Sequence, residues 1–257
     1  MSRKPPREYV APVQRFRIRY AKRGRLRFAS HRDFQRAFER ALRRAQVPMA
    51  YSAGFSPHPK ISYANAAPTG TASEAEYLEI GVAAPCDPLD LRDRVDAALP
   101  PGLDILEVVE AHTPDFVQRL EASRWRIELR GVSQEEAGAA VATLLASEGV
   151  IVERLTKNGM RRFEVLPALL EAQVSPESSA PMSDGVAAPP CAILLVVLRQ
   201  ATPAVRPDDV LSALRSVAGL APPVPPLVTR EWQGPLAETG NAGAVALGDP
   251  LAADREA

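Results

Sequence analysis

Residues 26–63 carry the most informative pattern in the chain, LRFASHRDFQRAFERALRRAQVPMAYSAGFSPHPKISY. Apolar side chains recur there at three- and four-residue steps, which is the spacing of one buried stripe along an α-helix. The stripe consists of Phe34, Ala37, Phe38, Ala41, Leu42 and Ala45. Ser30 with Asp33 three residues later forms an imperfect capping box, so the sequence predicts that the helix begins directly after Ser30.

The opposite side of this predicted helix is cationic. Its arginines recur at similar steps and are Arg32, Arg36, Arg40, Arg43 and Arg44. An upstream segment, RFRIRY at residues 15–20, alternates like a half-buried strand whose second face is formed by Arg15, Arg17 and Arg19. We therefore expect the strand arginines, together with Arg32, Arg36 and Arg40, to contact the phosphates of RNA or another polyanion.

The segment after the helix, residues 50–60, combines flat rings with cations. Its glycine and prolines are incompatible with regular structure, and two of the prolines flank His58. Rings and cations of this kind are typical of nucleic-acid sites, where rings stack on bases and cations contact phosphates. The predicted binding residues are Tyr51, Phe55, His58 and Lys60, with Tyr63 as a further candidate for stacking.

The order of motifs in this part of the chain resembles the radical-SAM-linked protein family. The motifs are FRIRY, GRLRF, SH-x-D, the ERALRRA helix and AYSAGFSPHPKISYA, within about residues 15–110, and the resemblance continues weakly to about Trp232. It implies a bacterial accessory protein of uncharacterised activity whose partner is a radical-SAM protein. His31 and His58 match the family's SH and PHPK motifs, whereas Arg32 stands where the resemblance leads us to expect an apolar residue.

Charge is distributed unevenly along the 257 residues, although the net charge is zero. Residues 1–60 contain 16 Lys and Arg against three acids, a net charge of +13, and the remaining residues carry −13. A partner approaching the N-terminal part therefore meets a cationic surface. The alternative is that the basic part only aids solubility or pairs with the acidic remainder.

The order of predicted elements is that of an α+β protein with two ferredoxin-like lobes in tandem, βαββαβ each. The first lobe is predicted over residues 14–112 and the second over 123–232, with a short helix at 166–174 and a hairpin at Asn158-Gly159. Segments without periodicity are predicted to be disordered or flexible. These are a basic arm at residues 1–13, an insertion in the second lobe at 175–190 and a tail at 233–257.

His31 and His58 are the candidate catalytic residues. Two imidazoles across a phosphate, with Lys60 or Arg32 nearby, would suit RNA cleavage without a metal, although the sequence alone does not place the two together. Local packing of each histidine is the alternative. The sequence therefore allows three functions: an RNA-binding accessory module, a histidine-dependent RNA-processing or RNA-modifying enzyme, and a protein–protein scaffold.

Other classes of protein lack support in the sequence. Cys86 and Cys191 match neither a disulfide framework nor the spacing of a metal site. The three-cysteine cluster motif of radical-SAM enzymes is absent. No phosphate-binding glycine motif is found. We expect neither a cofactor nor a metal. No apolar run approaches the roughly 20 residues of a membrane helix and no secretion signal is found, so the cytoplasm is the expected location.

Overall fold

The computed structural model describes residues 11–53, 55–156, 159–176, 189–237 and 245–257. The fold is α+β, and the chain divides into two compact units. One unit runs to Arg119 and includes Pro250–Ala257, and the other is Leu120–Asp249. The predicted basic arm lies outside the described residues except at 11–13, and the predicted insertion except at 175–176 and 189–190.

The first unit places helices against one face of a four-stranded antiparallel sheet with the order β4-β1-β3-β2. One 3-10 turn, at Gly24–Phe28, lies between the first strand and the first helix, and another, at Phe116–Arg119, follows the last strand. The helices and strands are β1 (Gln14–Lys22), α1 (His31–Arg44), β2 (Ile61–Ala64), β3 (Ala72–Val82), α2 (Pro88–Ala98) and β4 (Leu103–Glu110).

Helix α1 confirms the prediction made from its apolar stripe. It begins after Ser30, whose Oγ accepts a hydrogen bond from the backbone N–H of Asp33 at 3.2 Å. Phe38 is fully buried, and the Phe34 ring stacks on Tyr20 of β1 with centroids 4.4 Å apart. The stripe therefore anchors α1 on the sheet and turns its arginine side toward solvent.

The second unit contains a sheet of the order β10-β5-β9-β8, again antiparallel. A separate hairpin joins β6 to β7, and β11 pairs with β12. Its elements are β5 (Ala122–Arg130), α3 (Gln134–Leu145), β6 (Ile151–Thr156), β7 (Gly159–Glu164), β8 (Leu169–Val174), β9 (Cys191–Arg199), α4 (Pro207–Ala218), β10 (Leu227–Gly234), β11 (Leu236–Ala237) and β12 (Ala246–Leu247).

Residues 166–174 do not form the predicted short helix. Only residues 166–168 make a 3-10 turn, and the rest is the edge strand β8, which pairs with the apolar strand β9. Backbone pairing with a long neighbour outweighs the weak helical preference of so short a segment. The hairpin prediction is confirmed by β6 and β7, although residues 157–158 themselves lie outside the described residues.

The predicted disordered tail is wrong where the structure describes it. β10 extends to Gly234, and residues 245–257 include β12 and a short helix, α5 (Ala252–Arg255). Leu251 is fully buried and Asp254 is 4% exposed, so Pro250–Ala257 are packed into the first unit, whereas β12 belongs to the second. Its order comes from contacts far away in sequence, which leave no local periodicity. No helix of the described chain is long and apolar enough to cross a membrane.

Candidate polyanion-binding surfaces of the first unit

The alternation of β1 separates an apolar face from an arginine face. Phe16 and Ile18 are fully buried in the core beneath α1 and α2. Arg15 and Arg19 occur at the alternate positions, and both have partners within the unit. The Arg15 guanidinium lies 3.1 Å from a Glu79 carboxylate oxygen, and Arg19 Nε donates to the backbone oxygen of Glu74 at 3.0 Å.

Arg17 was predicted to face solvent, but its side chain is only 3% exposed. Its Nη1 donates to Asp254 and, at 2.9 Å, to Thr113 Oγ1, while Nε lies 3.4 Å from Glu79 Oε2. The guanidinium carbon also lies 4.9 Å from the centre of the Phe116 ring. In this arrangement Arg17 has no access to an RNA phosphate, so its predicted role in direct contact is not supported.

Asp254 is the centre of a set of hydrogen-bond donors. One carboxylate oxygen accepts from the backbone N–H groups of His112 and Thr113, at 3.1 and 3.0 Å, and from Thr113 Oγ1. The other accepts from Arg17 and, at 3.2 Å, from Arg119. Burial acts to raise the pKa of Asp254, but the hydrogen bonds from Thr113 and Arg17 outweigh it and lower the pKa to about 2. We call Arg17, Arg119 and residues 112–113 the anion cradle.

The arginines of α1 have a different environment from those of β1. Arg32, Arg36, Arg40, Arg43 and Arg44 are all exposed. Only Arg43 forms an ion pair with an acid of the described chain, a 3.8 Å contact with Glu39. Asp33 lies near the start of this stripe, and its pKa is lowered by the Ser30 hydrogen bond and further by the charges of Arg36 and Arg32.

The loop after α1 is closed at its base by the backbone. Tyr51 forms a bridge with Pro59, Ser52 N–H donates to the His58 oxygen at 2.9 Å, and His58 N–H donates to Ser52 Oγ at 3.0 Å. The Phe55 side chain projects into solvent and is 69% exposed, and Tyr51 is also exposed. The loop therefore presents two rings on an anchored turn; Gly54 lies outside the described residues.

Two neighbouring cavities lie along the sheet of this unit. The first, which we call the loop cavity, measures about 320 Å³ and is lined by Arg15, His58, Lys60 and Ser52, among others. The second, the cradle cavity, measures about 370 Å³ and is lined by Arg15, Arg17, Thr113, Phe116 and other residues. The structure thus brings His58 and Lys60 together with Arg15, and it places Glu79, the ion-pair partner of Arg15, in the same lining.

His31 lies elsewhere in the unit. It is the first residue of α1, and its ring meets the Tyr63 ring edge-on, with centroids 5.0 Å apart. Burial raises the pKa of Tyr63, and the charge of Glu39 adds to the effect. His31 does not line the loop cavity that contains His58, so the structure does not assemble the two imidazoles into one acid–base pair.

Metal-ligating side chains do not cluster in the described ranges. No group of three or more His, Cys, Asp or Glu residues within them is placed to hold a metal ion. Cys86 and Cys191 are both free thiols. Burial raises the pKa of Cys86.

Comparison with known proteins identifies the family. Residues 15–207 match the family described as "Uncharacterized protein conserved in bacteria (DUF2344)". The chain belongs to this family. The matched region of this DUF2344 protein contains α1, every residue of the anion cradle and all of the loop-cavity lining except Pro12, whereas Asp254 lies beyond it. No curated protein matches the sequence.

Proposed function

We propose that this protein is a bacterial accessory module that binds RNA, or a similar polyanion, through α1 and the loop that follows it. The supporting observation is the contrast between its two sets of arginines. Arg15, Arg17 and Arg19 are bonded within the unit, whereas Arg36 and Arg40 are exposed and without an ion-pair partner in the described chain. Guanidinium groups left in water are those that can exchange counterions for phosphates.

The spacing of the α1 arginines suits an extended polyanion. Arg32, Arg36, Arg40 and Arg44 are each four residues apart, and this spacing keeps them on one side of the helix. At 1.5 Å per residue the stripe is about 18 Å long. A stripe of this length can contact several successive phosphates of a strand, and each contact adds to the salt dependence of binding.

The exposed rings favour a single strand over a duplex. Phe55 and Tyr51 project from the loop that follows α1, and unstacked bases of single-stranded RNA stack on such rings. Each stacked base contributes about 1–3 kcal/mol. Single-stranded RNA is therefore the preferred substrate class for this surface.

The strand orders support a finer description of the fold, two ferredoxin-like lobes in tandem. If the main-sheet strands of each unit are numbered in chain order, their spatial order is 4-1-3-2 in both units. The hairpin of β6 and β7 is then an insertion in the second lobe. Domains of this architecture use an open sheet face or its edges to display RNA-binding side chains. The likeness is one of fold and by itself assigns no activity.

A radical-SAM protein is the partner we propose. This part of the proposal rests on the resemblance of the motifs at residues 15–110 to the radical-SAM-linked family. In that arrangement the present chain holds the substrate, and the partner supplies the iron–sulfur chemistry in the cytoplasm.

A histidine-dependent RNA-processing enzyme is the second candidate, favoured by one observation. His58 lines the same cavity as Lys60 and Arg15, so a phosphate there would meet an imidazole and two cations, one of which, Arg15, is paired with Glu79 in the same lining. Incubation of labelled RNA with the native chain and with His58→Ala separates the two candidates. Cleavage or modification by the native chain that His58→Ala abolishes would favour the enzyme, and unchanged RNA favours the binding module.

The test of RNA binding is fluorescence anisotropy with a labelled single-stranded oligonucleotide. Arg36→Ala should weaken binding to all sequences and lower the slope of log K against log salt by about one. Arg161→Ala is the matched control, because Arg161 is also exposed and has no ion-pair partner in the described chain, but lies in the second unit. Equal affinities for the native chain and Arg36→Ala would contradict the proposal, and binding to acidic proteins alone would favour a scaffold.

A further inference from the structure

The anion cradle is unusual among the ion pairs of this chain because so many donors converge on one carboxylate. Asp254 accepts from two backbone N–H groups, the Thr113 hydroxyl and two arginines, and its side chain is fully buried. Backbone N–H groups and guanidinium forks are the donors with which proteins bind carboxylates and phosphates of ligands. The arrangement has the features of a ligand site, although its occupant is a side chain of the same chain.

The occupant and the site come from different parts of the sequence. Arg17 lies in β1, and Thr113 and Arg119 follow β4, all within the region matched by the family. Asp254 lies in α5, a helix of four residues beyond that region. The family region therefore supplies the donors, and a separate short segment supplies the anion.

The charges of the cradle require an anion. Arg17 is 3% and Arg119 is 21% exposed, and Glu79, at 3.4 Å from Arg17, is the other carboxylate in contact with Arg17. Without Asp254, Arg17 would keep only Glu79, which also pairs with Arg15, and Arg119 would lose the one carboxylate it contacts within the described residues. An unpaired buried charge is costly, so a carboxylate or phosphate from solution would be drawn into the vacated site.

A path for such a ligand exists beside the site. The cradle cavity of about 370 Å³ is lined by Arg17, Thr113 and Phe116, and also by the acidic residues Glu79 and Asp115. A molecule in this cavity could place an acidic group in the cradle and an apolar or aromatic body against Phe116. The volume fits a small organic molecule and excludes a folded partner.

We infer that Arg17, Arg119 and residues 112–113 form a binding site for the carboxylate or phosphate group of a small molecule, and that Asp254 occupies it as an intramolecular competitor. A ligand binds to the site only when α5 has left it. The apparent affinity is therefore the intrinsic affinity multiplied by the fraction of molecules in which α5 is undocked. Conversely, a ligand with an acidic group releases α5 from the first unit. This site is separate from the α1 surface and does not depend on RNA binding.

The test removes the competitor and supplies simple anions. Thermal unfolding of Asp254→Ala is followed as sodium phosphate or sodium acetate is added at constant ionic strength, with chloride as the balancing anion. The melting temperature should rise in a saturable manner, with an apparent Kd at least about tenfold lower than in the native chain. Glu256→Ala is the control, since Glu256 is an exposed acid of the same segment, and it should behave like the native chain. The anion that binds with the lower apparent Kd indicates whether the natural ligand carries a phosphate or a carboxylate.

Hydrogen exchange on the native chain provides a second measurement that needs no unstable variant. The Arg255 and Glu256 amides donate to Leu251 and Ala252, so their protection reports whether α5 is folded. Phosphate or acetate at constant ionic strength should speed their exchange, and chloride should not. If neither anion changes this exchange and neither stabilises Asp254→Ala beyond chloride, the cradle is only a structural ion pair and the inference is wrong.

Discussion

Replacing Asp254 by Asn should destabilise the first unit strongly. The Asn side chain keeps the size of Asp and one oxygen that can accept from the His112 and Thr113 N–H groups, but it removes the charge that pairs with Arg17 and Arg119. Breaking a buried pair by removing one partner costs about 3–5 kcal/mol. Glu79 remains 3.4 Å from Arg17 and offsets part of the loss, so we expect a value of about 3 kcal/mol.

Urea unfolding followed by far-UV circular dichroism measures this loss, and tryptophan fluorescence reports the second unit alone, because Trp125 and Trp232 both lie there. The two units can unfold separately, so both probes are needed to assign the transition to the first unit. Arg17→Met should cost a similar amount, and the double variant should cost clearly less than the sum, because it leaves no lone charge. Glu256→Gln, which neutralises an exposed acid at the end of the same helix, is the control. A loss below about 1 kcal/mol in Asp254→Asn would refute the buried pair and the packing of α5.

Three further predictions concern the core, the pH dependence and the loop. Phe38→Ala should cost about 3–5 kcal/mol in denaturant melts, because the ring is fully buried and its removal leaves a cavity; a loss below about 1 kcal/mol would contradict the packing of α1. Since the pKa of Asp254 is about 2 in the folded chain and near 3.9 in an unfolded one, its contribution is complete above pH 4 and is lost as the pH falls toward 2. Asp254 should contribute about 2 kcal/mol to the fall in the free energy of unfolding in that window, and the fall should be smaller by this amount in Asp254→Asn. Phe55→Ala should weaken RNA binding by about 1–3 kcal/mol in anisotropy titrations without changing the salt slope, and a changed slope would show that Phe55 acts through the phosphate contacts instead.

Local sequence patterns were sufficient for the elements that dominate the first unit. The helical stripe of α1 and the alternation of β1 are periodic, and burial of one face follows directly from the period. The hairpin of β6 and β7 was likewise found from the turn residues between them. These features depend on neighbours within a few positions, which is why the sequence alone sufficed.

Features that depend on distant partners could not be predicted in this way. Arg17 has the same alternation as Arg15 and Arg19, and nothing in the local sequence marks it as the one that is buried. Its partner Asp254 is 237 positions away in a segment with no periodicity, which is why that segment was predicted to be disordered. β8 was missed for the same reason, since only its pairing with β9 makes it a strand.

The structure separates residues of the candidate site that the sequence treats alike. Arginines of β1 and α1 are equivalent in the sequence, and only the positions of Glu79, Glu74 and Asp254 show that the strand set is bonded internally. The same holds for the histidines. His58 faces cations in the loop cavity, while His31 packs on Tyr63, a difference that spacing in the sequence does not reveal.

The most direct test of the proposed function compares the salt dependence of RNA binding between helix and strand variants. The double variant Arg36→Ala/Arg40→Ala removes two exposed cations of α1, and Arg15→Ala removes a strand cation that is bonded to Glu79. We predict that the helix variant lowers the slope of log K against log salt by about two and that Arg15→Ala leaves it nearly unchanged. An unchanged slope in the helix variant, or a larger loss in Arg15→Ala, would contradict the assignment of RNA binding to α1.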